Sequence, residues 1–239
     1  MAQHAPPARG ARLGRPAGAN GSVSTVSGVV LLLPGASRFS PGPLRPLARA
    51  LARAGGTDGL VAHTVQHGSG PQEEAADWAA DEALRRYGDV PVCLAGYGAG
   101  GRTALRAGGH GAVNTVLALA PCLGDAGAEG SPEPVKHLAG RQVLIVHGTN
   151  DARSDPESSF LLAARAKKAN RSTCRFEVHS DGHGLREHQT EVVALGVDFV
   201  LGAMVSGRYS RPVTDALAAP PPLGLRMPLA SGFGRSLRG

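Results

Sequence analysis

The sequence predicts a three-layer α/β fold, a mostly parallel sheet of about six strands with helices on both faces. Two observations carry that expectation. Short apolar runs alternate along the chain with segments whose apolar residues recur at helical spacing. Strands buried on both faces read as continuous hydrophobic runs, and parallel neighbours need a helical crossover between them. No internal repeat appears, so a solenoid is not indicated.

The elements follow in order. Residues 28–34 (GVVLLLP) read as a buried strand. Leu44, Leu47, Ala48 and Leu51 then fall at i, i+3, i+4 and i+7, one face of a helix closed by Gly55-Gly56. Residues 59–65 (GLVAHTV) make the second strand. Pro71 opens the next helix, Glu73 and Glu74 suit its first turn, Ala75, Trp78 and Ala79 share a face, and Gly88 stops it. Residues 90–96 (VPVCLAG) are the third strand, leading through a glycine-rich turn into helix 102–107. Residues 112–119 and 141–148 give strands four and five. Ser154 is expected to cap a helix over 160–169, residues 174–180 form strand six, and a last helix runs through 192–201.

Composition and charge narrow the function classes. With 239 residues and 42% hydrophobic content, the chain can bury the core of one medium domain. Three cysteines exclude a disulfide scaffold and point to a reducing, cytoplasmic setting. No uncharged apolar run approaches the roughly 18 residues of a membrane span. Three Arg ahead of the apolar stretch 26–33 imitate a secretory signal, but that stretch ends in Pro34-Gly35 and serves better as a strand. The net charge of +6, with 22 Arg, invites a nucleic-acid reading. Its location argues otherwise. Residues 1–22 carry +3 and residues 207–239 carry +4, while the domain at 23–206 holds 17 basic and 18 acidic residues. Both ends are rich in Gly, Pro, Ala and Arg without apolar period, which reads as disordered basic tails. They lack the dense basic blocks of a nucleic-acid footprint. Neither a nucleic-acid nor a membrane partner is expected.

The segment from Gly96 to Thr103 lies between a strand and a helix and admits three motifs. Gly96-x-Gly98-x-x-Gly101 matches the dinucleotide fingerprint, but the positions where the ribose-binding acid belongs are Leu119, Ala120 and Pro121. Gly96-x-x-x-x-Gly101-Arg102-Thr103 matches a phosphate-binding loop with Arg in place of Lys, and a broad guanidinium does not replace a compact ammonium. Gly96-Tyr97-Gly98-Ala99-Gly100 has the shape of the nucleophile elbow G-x-S-x-G, with Gly98 at the nucleophile position. Downstream, Asp151 follows the fifth strand and His183 the sixth. The order nucleophile, acid, base and the strand-end placement of each support the third motif.

On these residues the chain resembles the α/β-hydrolase superfamily over about residues 24–204, and is most similar to small capless esterases and dienelactone-hydrolase-like members. The resemblance implies Asp151 as the acid, His183 as the base, and an oxyanion hole at the backbone N–H groups of Ala99 and Ala36. It implies a small ester-like ligand, no cofactor and no metal. About 20 residues separate strands four and five, too few for a large cap. Two departures stand out: Pro34 where the family often has His, and Gly98 where it has serine.

Glycine accepts the positive φ of an elbow without a Cβ clash, while it deletes the attacking oxygen. Three accounts follow. The domain is a pseudo-hydrolase that binds a ligand or partner; or His183 acts as a general base without a covalent intermediate; or another side chain substitutes, or Gly98 stands in for a serine in a working esterase. Cys122, just past strand four, is the best substitute, although a small buried cysteine is often plain core. Tyr97 is a candidate to line the pocket or to pack under the turn. Cys93, Cys174 and Trp78 read as core, His147 as a structural hydrogen-bonder, and Asp181 as solvated. His63 and His67 flank strand two without metal-ligand spacing.

Overall fold

The structure, a computed structural model, describes residues 10–18, 25–35, 42–68, 70–124 and 132–234. In chain order the strands are β1 (Arg12–Leu13), β2 (Ala17–Gly18), β3 (Gly28–Leu33), β4 (Leu60–Gln66), β5 (Val92–Tyr97), β6 (Val113–Leu119), β7 (Gln142–Gly148), β8 (Thr173–Val178) and β9 (Met227–Pro228). The helices are α1 (Leu44–Gly55), α2 (Gln72–Tyr87), α3 (Ala99–Ala107), α4 (Pro156–Ala169), α5 (Gln189–Leu201) and α6 (Arg211–Ala218). The sheet order is β1-β4-β3-β5-β6-β7-β8-β9, with β2 also on β4. Pairing is parallel from β4 through β9 along that order, and antiparallel where β1 and β2 meet β4.

The six expected strands are β3 to β8, with ends moved by one or two residues. Their continuous apolar runs serve two faces at once. Val30 and Leu32 pack with Leu47 and Leu51 of α1 and with Leu195 and Phe199 of α5. Val29, Leu31 and Leu33 face the other way, toward Ala76 and Ala79 of α2, Leu105 of α3 and Leu162 of α4. Each fully buried Val or Leu contributes roughly 1.5–3 kcal/mol. From β3 the chain lays β4 on one side and then returns to lay β5 on the other. That reversal leaves a crevice beyond the carboxyl ends of β3 and β5, the place where open α/β sheets receive ligands.

Among the described residues, only a 3₁₀ turn (Lys136–Leu138) lies between β6 and β7, and no cap domain covers this edge. Helix α5 runs on through a π turn to make an 18-residue stretch, Gln189–Ser206, of mean hydropathy 1.3, long and apolar enough by length and composition to cross a membrane. It includes Glu191 and Asp198, and Val192, Leu195, Phe199 and Val200 are buried in the core.

The described parts of the two ends, residues 10–18 and 207–234, correct the expectation of disordered tails, while residues 1–9, 19–22 and 235–239 of those tails lie outside the described residues. Arg12 and Leu13 register against Gln66 and Val65, and Ala17 and Gly18 against Ala62 and Val61. Beyond residue 206, Val213 and Ala216 of α6 and the later Leu225 and Leu229 are buried. Two interior cations tie that segment down. Lys167 Nζ donates to the carbonyls of Thr173 and Ala216 at 2.9 Å and of Leu217 at 3.1 Å. Arg175 donates to Leu225 O at 2.9 Å and to Glu177 at 2.7 Å. Isolated apolar anchors held by backbone acceptors leave no period to read. A second correction concerns α4: its cap is Asp155, whose side chain accepts from Glu157 N, and Ser154 serves the β6 loop instead.

Candidate active site

β5 passes into α3 through Gly98, whose φ of 59° and ψ of −122° belong to a sharp strand-to-helix turn. The turn is tight because its flanking residues have no side chain. A Cβ at Gly96 would lie 1.9 Å from Gly100 O, and one at Gly100 would lie 2.0 Å from Leu33 O. Gly98 differs. A Cβ there would meet nothing closer than His183 Nε2 at 3.4 Å, followed by Cys122 Sγ at 3.6 Å. The Cβ position of this turn faces the imidazole of His183.

Asp151 and His183 come together across the ends of β7 and β8. His183 Nδ1 donates to Asp151 Oδ2 at 2.8 Å. His147 Nε2 donates to the same oxygen at 3.1 Å, and the amides of Arg153 and Ser154 donate to Oδ1 at 2.8 and 3.1 Å. Burial works against ionisation of Asp151, but the hydrogen bonds from His147, His183 and Arg153 outweigh it and hold the carboxyl well below the usual carboxylate range. An ionised carboxylate only accepts, so Nδ1 carries a proton toward it, and Nε2 faces Gly98 and Cys122. His183 is pushed up to about 9, first by its bond to Asp151 and next by Cys122, against the opposing effect of burial. Its side chain is 13% exposed, while that of Asp151 is fully enclosed.

Cys122 stands third in this row. Its Sγ is 3.9 Å from His183 Nε2 and its amide donates to Gly98 O at 3.0 Å. Two residues earlier, Ala120 takes a φ of 41°. Ser180 at 62° and Leu185 at 47°, on either side of His183, are the other non-glycine residues with positive φ among the described residues. Such backbone costs about 1–3 kcal/mol per residue and clusters at functional sites. The loops bearing the thiol and the imidazole hold it here. Cys93 and Cys174 lie in strands, and burial pushes the Cys174 thiol up to about 12.

Solved structures bear on this geometry. No protein-family model and no curated protein matches the sequence. Est1E of Butyrivibrio proteoclasticus with bound ferulic acid is similar at 15% identity and a TM-score of 0.59, over 83% of this chain and 98% of that one. An esterase of Pyrococcus furiosus aligns at 14% identity and 0.62 over 75% and 82%. An α/β serine hydrolase without lid from Xanthomonas campestris aligns at 14% identity and 0.60 over 80% and 88%. The chain has the α/β-hydrolase fold.

Within that α/β-hydrolase fold, the first N–H groups of α3, Ala99 foremost, have no carbonyl of their own helix to bond and point at the elbow end. Ala36, the other expected oxyanion donor, lies outside the described residues. Tyr97 is buried under the turn, its ring 5.3 Å from that of His183. Asp181 is a correction: it is 2% exposed rather than solvated. Its Oδ1 accepts from the amides of Gly182 and Arg186 and its Oδ2 from that of His188, which fixes the loop carrying His183. Acceptors for backbone amides have no sequence signature, so this role was not readable. His147 is fully buried against Asp151; a His four residues before the acid at a strand end was the available signal. His63 bonds Gly14 O and the Tyr87 hydroxyl, and Trp78 packs partly buried on the α2 side. Among the described residues, no group of three His, Cys, Asp or Glu could hold a metal ion.

Proposed function

We propose that this chain hydrolyses carboxylic-ester-like substrates with Cys122, in place of an elbow serine, as the nucleophile for the His183–Asp151 pair. The observation that carries the reading is the row Asp151 Oδ2, His183, Cys122 Sγ, with contacts of 2.8 and 3.9 Å. Catalytic contacts are commonly long before substrate binds and tighten in the complex. In the forward step the thiol proton passes to His183 Nε2 and sulfur adds to the ester carbonyl. The oxyanion is met by the Ala99 N–H, and the leaving alkoxide takes the proton from Nε2. Water then gives a proton to Nε2 as its oxygen attacks the thioester, releasing the carboxylic acid and returning the thiol. Asp151 holds the imidazole tautomer throughout and stabilises the imidazolium.

A second reading is supported by the room at Gly98. An atom placed where its Cβ would be is 3.4 Å from Nε2, so His183 could instead activate water directly. Hydrolysis of short 4-nitrophenyl esters separates these. The thiol reading expects turnover that falls about 100-fold or more in both Cys122→Ala and His183→Ala. Activity kept in Cys122→Ala but lost in His183→Ala would move the assignment to water. Turnover no greater than that of His183→Ala would make the domain a binding module.

A further inference from the structure

A cavity of about 700 Å³ opens at the carboxyl ends of β3 and β4, walled by α1 and β1. It borders the Gly98 turn at Gly35, which lines the cavity and packs against the turn, a Cβ there lying 3.1 Å from Tyr97 O and 3.9 Å from Ala99 N. Its floor is apolar, with Leu32, Leu44 and Val65. Its polar wall carries three guanidiniums. Arg12 comes from β1, Arg45 and Arg49 stand one turn apart on α1, and no Asp or Glu lines the space among the described residues.

Three guanidiniums in one concavity repel one another unless an anion sits between them. Several guanidiniums elsewhere are paired: Arg102 with Glu133, Arg141 with Gly108 O, Arg175 with Glu177. Arg12, Arg45 and Arg49 have no hydrogen bond or ion pair among the described residues. A guanidinium is weakly hydrated and presents a planar fork that fits a carboxylate or phosphate with two parallel bonds. A concave wall of one sign also focuses its field on an incoming anion. We propose that this cavity binds the anionic end, carboxylate or phosphate, of a substrate whose apolar chain crosses Leu32 and Leu44 to present its ester carbonyl at the elbow. Assignment of the anion to a substrate rests on the esterase reading above; the anion site itself does not.

The test is calorimetric titration of the full chain at low salt with adipate, with inorganic phosphate and with neutral adipamide. At least one anion is expected to bind and adipamide to give no heat. The double variant Arg45→Gln/Arg49→Gln is expected to weaken that binding by about 10-fold or more. Arg53→Gln, on the same helix and outside this cavity, removes a like charge and is expected to leave it unchanged. The tighter anion names the headgroup chemistry. The proposal is overturned if neither anion binds, if the double variant binds as well as the parent, or if Arg53→Gln weakens binding equally. Repeating the titration in Cys122→Ala gives the answer free of any turnover, so loss of the ester chemistry and loss of the anion site are separate results.

Discussion

Asp151 and Gly98 face the same imidazole from opposite sides, and the chain equips them very differently. Around Asp151 four donors converge on two oxygens, and the supporting His147 is itself fully buried. At Gly98 the backbone path of an elbow persists with no side chain to act. Yet the flanking Gly96 and Gly100 keep the contacts that the turn requires, and of these three glycines only Gly98 has space around its missing Cβ. A thiol from the neighbouring strand end stands 3.9 Å from His183 Nε2.

The sharpest way to break this comparison is to add one methyl group at each glycine. Gly96→Ala and Gly100→Ala drive Cβ into carbonyl oxygens at 1.9 and 2.0 Å. Each should remove more than about 4 kcal/mol or prevent folding, read by urea denaturation. Gly98→Ala or Gly98→Ser meets only the left-handed backbone preference and should remove about 1–3 kcal/mol. The serine variant should also acquire labelling by a fluorophosphonate at residue 98; equal damage at all three glycines would refute the distinction. Next in size is Asp151→Ala, which strips two histidines and two amides of their acceptor in an enclosed site and should lower stability by about 3 kcal/mol.

Smaller but more discriminating effects come from pH. His183 has its folded value raised to about 9 from 6.5, so its pairing contributes fully below pH 6.5 and the contribution is lost as pH rises through 9. Asp151 is lowered from 3.8, so its share is present above about pH 4 and disappears in acid. Stability measured across pH should therefore lose this increment on both sides, and Asp151→Ala should flatten the profile. The rate carries the mechanism. In both readings Nε2 must be unprotonated to take a proton, from the Cys122 thiol or from water, so kcat/KM should rise toward pH 9. Cys122→Ala should abolish that rising limb if the thiol is the nucleophile and leave it in place if His183 acts on water.

Much of this was legible because it is written in residue order. Buried strands declare themselves as runs such as GVVLLL, and an acid and a His just past successive strands place Asp151 and His183 at one edge. What stayed hidden depends on backbone partners or on isolated contacts. Asp181 looks like any loop acid until three amides turn toward it. Arg12 looks like tail charge until Arg12–Leu13 pairs with β4 and turns its guanidinium to the cavity. Lys167, in the last turn of α4, and Arg175, mid-strand in β8, hold the C-terminal segment through carbonyls that no pattern announces. Cys122 could be named as a candidate from its strand end, but its distance from His183 required the fold.

The central claim, that Cys122 is the nucleophile of the His183–Asp151 pair, is tested most directly by acid-quenching the protein during turnover of 4-nitrophenyl acetate and mapping the acyl group by peptide mass spectrometry. The account predicts an acetyl thioester on Cys122, absent in Cys122→Ala and greatly slowed in His183→Ala. Steady hydrolysis with no adduct, or an adduct on any other residue, would contradict it.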